Sequence, residues 1–245
     1  MSVLETAMVM AAGHGTRMKP LTDDRAKAMV ELGGQPLIGH MLSRLVAVGV
    51  KRVIVNVHAH ADHLEDYLNA QPYDLDIIIS DERQVLLETG GGVVKALPLL
   101  GNAPILICNI DAIWAEFSAV LPKLIGAWNP ENMDELFLLA RRDAALGYDG
   151  KGDFDMADTG QISRRNAEYA PYIYAGVEIF KPHLAKPFKV EKFSRNIIWN
   201  ETLKRRRVYG IELAGYWMHV GDPRARRAAQ AVLQQVKHDN AARQL

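Results

Sequence analysis

The sequence predicts an α/β fold: a doubly wound, mostly parallel sheet with a mixed β insertion in its second half. Three observations predict it. Short apolar runs alternate with amphipathic stretches of helical length from Met8 to Ala140, the pattern of right-handed βαβ units. The first apolar run ends in a glycine loop, AAGHGTRMKPLT (Ala11 to Thr22), whose small residues let backbone N–H groups approach an anion. A fully apolar run, PILIC (Pro104 to Cys108), ends at Asn109-Ile110-Asp111, which puts an aspartate at the carboxyl edge where open α/β sheets bind ligands.

Taken in order, Met8 to Ala11 is too short and too apolar for anything but a buried strand. Asp23 to Ala28 is irregular, Met29 to Leu32 briefly extended, and Gly33-Gly34 a turn. Pro36 suits the first turn of a helix in which Leu37, His40, Met41, Leu45 and Val48 recur at helical spacing, and Gly49 stops it. Arg52 to Val57 is a β-branched strand, His60 to Asn69 a helix and Leu75 to Ser80 a strand. Glu88 to Gly101 is a helix opened by a glycine triplet and closed by Pro98, and a helix around Phe117 to Ala127 leads to a strand at Glu135 to Ala140. There the alternation breaks. Gly150 to Arg165 predicts a hairpin, Tyr172 to Phe180 a strand, Ser194 to Lys204 a helix, Val208 to Leu213 and Gly215 to Val220 strands, and Pro223 to Val236 a closing helix.

No Pro/Ser/Gly-rich linker divides the chain, so residues 1–245 are expected to form a single domain. Lysine plus arginine equals aspartate plus glutamate at 29 each, which leaves no global field for nucleic acid or a membrane surface. The basic runs Lys204 to Arg207 and Arg224, Arg226 and Arg227 are expected to be solvated helix ends or faces. A lone cysteine, Cys108, excludes an internal disulfide framework and a cysteine metal cluster and is expected to be an inert core residue. MSVLETA before Met8 is too short and polar for a signal peptide, and no apolar run reaches the roughly 18 residues of a membrane span. A cytoplasmic protein is expected, without nucleic-acid or membrane partners, as a monomer or small homo-oligomer.

The glycine loop fails two familiar patterns. Met18 stands where a dinucleotide fingerprint needs its third glycine, and no acidic residue ends the second strand. No Gly-Lys-Ser/Thr makes it a Walker loop. The order of Gly13-His14-Gly15-Thr16-Arg17-Met18-Lys19-Pro20-Leu21-Thr22, then Lys27, then Leu87 to Gly101 (LETGGGVVKALPLLG), then Asn109-Ile110-Asp111, resembles the sugar 1-phosphate nucleotidyltransferases along essentially the whole chain. Within that family the sequence is most similar to the N-acetylmuramate 1-phosphate uridylyltransferases of cell-wall recycling, and Gly152-Asp153-Phe154 and Tyr174 to Glu178 stand where those enzymes keep sugar-side segments.

The resemblance implies a Rossmann-like, GT-A-like nucleotidyltransferase fold, with a nucleotide-binding half at about 1–111, a sugar-binding half at about 112–222 and a C-terminal helix at about 223–238. It implies attack by a sugar 1-phosphate oxygen on the α-phosphorus of a nucleoside triphosphate with release of pyrophosphate, a reaction that needs in-line positioning and charge neutralisation. Arg17, Lys27 and Asp111 become the catalytic candidates. Ala11, Ala12, Gly13, His14, Gly15, Thr16, Arg17, Glu88, Thr89, Gly90, Gly91 and Asn109 become nucleotide contacts, with the glycines meant to keep the base pocket open. Glu88, Asn109, Asp153, Gly176, Glu178 and Lys189 become sugar contacts. Asp111 would hold Mg²⁺, with Mn²⁺ as the other candidate.

Two departures stand out. Ala28 occupies a position where the family usually has proline, and His219 replaces the aspartate that serves the family as second metal carboxylate. His219 is left with three roles: ligating the metal through nitrogen, contacting phosphate as a cation, or neither. Asp222 is expected to cap the last helix before Pro223. Mannose 1-phosphate with GTP is the rival substrate pair, and a catalytically silent nucleotide-sugar binder is the rival of a different class.

Overall fold

The computed structural model describes residues 4–116 and 118–242. In chain order the elements are β1 (Thr6–Met10), a small hairpin of β2 (Glu31–Leu32) and β3 (Gln35–Pro36), α1 (Leu37–Ala47), β4 (Arg52–Val57), α2 (Ala61–Asn69), β5 (Asp76–Asp81), α3 (Glu88–Leu100) and β6 (Ile105–Asn109). There follow β7 (Ala112–Glu116), α4 (Val120–Ala127), β8 (Glu135–Arg141), β9 (Phe154–Met156), β10 (Ile162–Arg164), β11 (Tyr172–Phe180), α5 (Asn196–Lys204), β12 (Val208–Glu212), β13 (Gly215–His219) and α6 (Pro223–Ala242).

The main sheet runs β10-β9-β11-β6-β1-β4-β5, with β8 pairing both β11 and β12. Strands β6, β1, β4 and β5 are parallel, as the alternation of runs predicts, while β11 joins β6 and β8 antiparallel. Both faces of the parallel part are covered. Ala7, Val9, Val53, Val55, Leu106 and Cys108 enter one core cluster, whereas Met8, Ile54, Ile105 and Ile107 enter a second beneath α3. This is why these strands read as continuous apolar runs rather than as alternations. A third cluster, built on Phe137, Leu139, Phe154, Trp199 and Val208, fills the insertion. Cys108 lies in the core as expected, its thiol pushed up to about 12 by burial.

Several boundaries move. Pro98 does not close α3, which continues to Leu100 and ends at Gly101 with φ +74. Pro98 lies in the last turn, and the N–H it lacks is the one that would meet the Val94 carbonyl. The helix expected around Phe117 starts at Val120, Phe117 itself lies outside the described residues, and β7 precedes it. Strand β7, to which the sequence assigns no element, pairs with β13, far along the chain, with Ala112 opposite His219 and Trp114 opposite Trp217. Gly33 and Gly34 both take positive φ, the signature of the tight turn that joins β2 to β3.

Candidate active site

The site is built where β1, β4 and β6 end side by side, Met10 being in register with Asn56 on one flank and Asn109 on the other. Directly past Met10, the buried Asn56 holds the start of the glycine loop. Its Oδ1 accepts the Ala11 N–H at 2.7 Å and the Ala12 N–H at 3.3 Å. Its Nδ2 donates to Glu82 Oε1 at 2.8 Å, and Glu82 Oε2 accepts the Leu87 N–H at 3.0 Å. A buried amide and a buried carboxylate thus fasten the loop to the segment that starts α3, and each satisfied polar group fixes backbone rather than ligand.

Gly15 is at φ +64, and a Cβ there would stand 2.9 Å from Lys27 Cβ. Its carbonyl accepts the Met18 N–H at 2.8 Å and the Thr22 hydroxyl at 2.9 Å. The turn therefore needs glycine for conformation and for close approach to Lys27. At Gly13, by contrast, nothing lies within 4 Å of the place a Cβ would take, so that backbone faces open space. His14 packs edge-on against His58 with ring centroids 4.8 Å apart. Thr16 and Arg17 begin a short 3-10 turn, Thr16–Met18, and both are exposed.

Lys27 and Asp111 meet across this opening. Lys27 is 8% exposed and donates to Asp111 Oδ2 at 2.7 Å. Burial pushes the Asp111 carboxyl upward, but the Lys27 ammonium, the His219 side chain and hydrogen bonding outweigh it and hold the group below the ordinary carboxylate value. His219 is brought to Asp111 by the β7–β13 pairing, and the Val220 N–H donates to the Asp111 carbonyl at 2.9 Å. Burial lowers the affinity of the His219 imidazole for a proton against the pull of Asp111, and the Lys27 and Arg17 charges add to that lowering. Arg17 lies on the His219 side: a Cβ built on Gly221 would be 2.6 Å from His219 Nε2 and 3.6 Å from Arg17 Nη2.

A cavity of about 350 Å³ opens beside Lys27 and Asp111, lined by Met10, Ala12, Gly13, Lys27, Asn56, Leu86, Glu88, Thr89, Asn109, Ile110 and Asp111. Of the residues singled out in the sequence, Ala12, Gly13, Lys27, Glu88, Thr89, Asn109 and Asp111 share it. Ala11 is buried at its root and Arg17 and His219 stand apart from its lining. Glu88 is left-handed at φ +59 and exposed at the first position of α3. Among the described residues no group of three or more His, Cys, Asp or Glu could hold a metal. The donors present are one carboxylate and one imidazole, a set that suits a divalent cation taking its remaining ligands from water and phosphate.

Gly90, Gly91 and Glu178 depart from expectation, whereas Gly176, Asp153 and Lys189 lie outside the lining of this cavity. Gly90 and Gly91 do not keep a base pocket open. Both are buried, both N–H groups donate to the Phe193 carbonyl, at 2.9 and 3.3 Å, and added Cβ atoms would run into Phe193 and the Glu191 carbonyl. Gly90 and Gly91 are glycine so that the 191–195 segment can lie on the start of α3, where Thr89 Oγ1 also accepts the Arg195 N–H at 2.9 Å, whereas a Cβ on Gly92 would meet Glu82 and Asn56. Glu178, expected at the sugar, is fully buried in β11 and ion-paired with Arg195, and its Oε2 accepts Trp199 Nε1–H at 3.0 Å. Gly176 sits at φ +86 in the β11 bulge, against Asn109 and Ala112, and serves close approach of strand and turn. Asp153 is outside the first cavity and accepts the Tyr174 N–H at 3.0 Å, and Lys189 is exposed outside that lining. Asp222 caps α6 as expected, its Oδ1 accepting the Ala225 N–H at 2.8 Å. Asn56 and Glu82 escaped the sequence reading because each is a polar residue in or beside an apolar strand, with no spacing that marks it.

A family model described as nucleotidyl transferase matches residues 6–138. The chain belongs to the nucleotidyl transferase family. It is 46% identical to an N-acetylmuramate alpha-1-phosphate uridylyltransferase from Caulobacter vibrioides, over 93% of this chain and 96% of that protein. It is 29% identical to a protein of the same name from Neisseria meningitidis serogroup B, over 92% of this chain and 97% of the other. A solved UDP-glucose pyrophosphorylase from Acinetobacter baumannii superposes with a TM-score of 0.78 at 15% identity, covering 96% of this chain and 99% of that one. The doubly wound sheet with its antiparallel extension is therefore a nucleotidyl transferase fold, and the glycine loop, Lys27 and Asp111 lie at the carboxyl edge of its parallel strands.

Proposed function

We propose that this nucleotidyl transferase moves a uridylyl group from UTP to N-acetylmuramate α-1-phosphate and releases pyrophosphate, in the cytoplasm and in the service of peptidoglycan recycling. The observation that carries the reading is the Lys27–Asp111 contact at 2.7 Å at the sheet's carboxyl edge, beside an open glycine-loop backbone. The substrate pair rests on the 46% identity to the Caulobacter relative.

Asp111 and His219 would hold a divalent cation, Mg²⁺ or Mn²⁺, which supplies charge neutralisation at the reacting phosphates. The burial that favours the neutral His219 imidazole supports ligation over a cationic contact to phosphate. The residues of the chain do the rest. Backbone N–H groups about Gly13 face the triphosphate, Arg17 neutralises its outer oxygens, and Lys27 carries a point charge to the α-phosphate or leaving group. Glu88, Thr89 and Asn109 line the space for base and sugar. Nothing here requires a covalent intermediate, because positioning and charge stabilisation suffice for phosphoryl-type transfer.

The test is pyrophosphate release across a grid of UTP, GTP, CTP and dTTP against N-acetylmuramate, N-acetylglucosamine, glucose and mannose 1-phosphates, with Mg²⁺ or Mn²⁺. UTP with the muramate ester is expected to give the highest kcat/KM. Preference for GTP with mannose 1-phosphate would overturn the substrate assignment, and nucleotide binding without pyrophosphate under any metal would favour a silent binder.

A further inference from the structure

Beyond the Asp111 cavity the insertion carries an open surface pocket, of about 380 Å³, lined by Tyr148, Lys151, Gly152, Asp153, Arg164 and Arg165. Its charge is one-sided. Its lone carboxylate is engaged, since Asp153 Oδ2 accepts the Tyr174 N–H at 3.0 Å. Arg164 is fixed by Asn196 and Asn200 and lies over the Phe154 ring, at 5.0 Å from its centroid. Arg165 spends one side-chain N–H on the Gly152 carbonyl at 3.1 Å and is otherwise exposed, while Lys151 pairs with the solvent-exposed Glu168 at 3.5 Å and lies 5.8 Å from the centroid of the Tyr169 ring. Gly152, at φ +81, lies under Ala170 with no room for a side chain, and its N–H donates to the Tyr148 hydroxyl at 3.1 Å. The pocket is thus a preformed floor with Lys151 and Arg165 at hand for an anion.

Two links tie this pocket to the reaction site. Along β11, the Tyr174 N–H donates to Asp153, and Gly176, in the bulge two residues on, packs against Asn109. On the other side the Tyr148 ring lies 6.2 Å from that of Trp217, which lies 6.0 Å from the His219 ring. The muramate sugar differs from N-acetylglucosamine by a lactyl ether that ends in a carboxylate.

We infer that this pocket recognises the acidic substituent of the sugar: Lys151 and Arg165 take its carboxylate, and the enzyme thereby selects anionic over neutral sugar 1-phosphates. The inference rests on the transfer reaction proposed above. Both residues are strong donors to a carboxylate, and Arg165 can meet it with two parallel N–H groups. Selection by a pocket built to bond a charged group is steep, because a neutral sugar leaves those donors unmet.

The experiment compares N-acetylmuramate 1-phosphate, its lactyl amide and N-acetylglucosamine 1-phosphate, each with UTP, in the wild type and in Lys151→Met, Arg165→Met and Lys151→Glu. The wild type should prefer the acid to both neutral sugars. Each Met variant should lower the acid-to-neutral ratio of kcat/KM on the order of 10- to 100-fold, the scale of a lost hydrogen bond to a charged group, and Lys151→Glu should lower it further. A wild type that does not discriminate, or variants that weaken all three sugars in the same proportion, would overturn the pocket and assign the two cations to the shared phosphate or to the fold. Calorimetric Kd values for the same three sugars read the preference whether or not pyrophosphate forms. A variant-sensitive binding preference without turnover retains the pocket and overturns the transfer reaction, whereas equal affinities overturn the pocket.

Discussion

At His219 the chain departs most from its resemblance, and the residue's environment explains how the departure is tolerated. The ring sits beside Asp111, with Lys27 and Arg17 close enough for their charges to act on it, and burial lowers its affinity for a proton. A neutral imidazole favours softer, nitrogen-accepting ions such as Mn²⁺ over Mg²⁺. His219→Asp should therefore lower the Mn²⁺/Mg²⁺ activity ratio, and an unchanged ratio would argue against ligation. Glycines divide the same way by what surrounds them. Gly13→Ala enters open space, and its unfolding temperature should stay near the wild-type value, whereas Gly91→Ala drives a methyl into the Glu191 carbonyl. The second variant should lose about 1–3 kcal/mol, the scale of overpacking, as read by thermal unfolding. Equal stabilities would mean that the 191–195 segment moves aside freely.

Among the elements, the start of α3 is the one held from most sides. Glu82 takes the Leu87 N–H, Asn56 takes Glu82, and the Phe193 carbonyl takes the Gly90 and Gly91 N–H groups. The glycine loop and the Glu88–Thr89 edge of the cavity therefore share one anchor. Asn56→Leu removes it and leaves Glu82 buried without its amide; the expected result is a stability loss of roughly 1–3 kcal/mol together with a raised KM for the nucleotide. A stability loss with unchanged KM would show that the loop does not depend on the anchor. The glycine loop, Lys27 and Asp111 were legible in the sequence because their chemistry is carried by local spacing. Asn56 and Glu82 were not, since hydrogen bonds between neighbouring parallel strands leave no local pattern. The glycine triplet was legible as a site of close approach but misleading about its partners, which for Gly90 and Gly91 come from the distant 191–193 stretch.

Across the molecule, the parallel half supplies the ligand edge, and the insertion contributes a buried charge cluster behind it. Glu178 and Glu135 are both fully buried and lie in neighbouring strands β11 and β8, with Arg195 ion-paired to Glu178. Burial pushes Glu135 up to about 7, against the pull of Arg195. A carboxyl whose folded-state value is raised contributes stability below its unfolded value, near 4.5, and loses it as the pH climbs through about 7. Glu135→Gln keeps the uncharged form at every pH. Its unfolding free energy should gain on the wild type between pH 5 and pH 8 by up to about 3 kcal/mol, and a pH-independent difference would contradict the cluster's electrostatics. The alternation of strands and helices made this architecture legible up to β8. The antiparallel joins of β11 to β6 and β8, and β7 to β13, were not legible because pairing between distant segments is set by packing, not by local period.

The central claim is that Asp111, held by Lys27 beside an open glycine-loop backbone, is the electrostatic centre of nucleotidyl transfer. Pyrophosphate release from UTP and N-acetylmuramate 1-phosphate by the wild type and Asp111→Asn, at saturating Mg²⁺ and at saturating Mn²⁺, tests it most directly. A fall in turnover of roughly 10² or more, the scale of losing one preorganised electrostatic element, with the unfolding transition retained, is the predicted result; near-normal turnover in Asp111→Asn would contradict it.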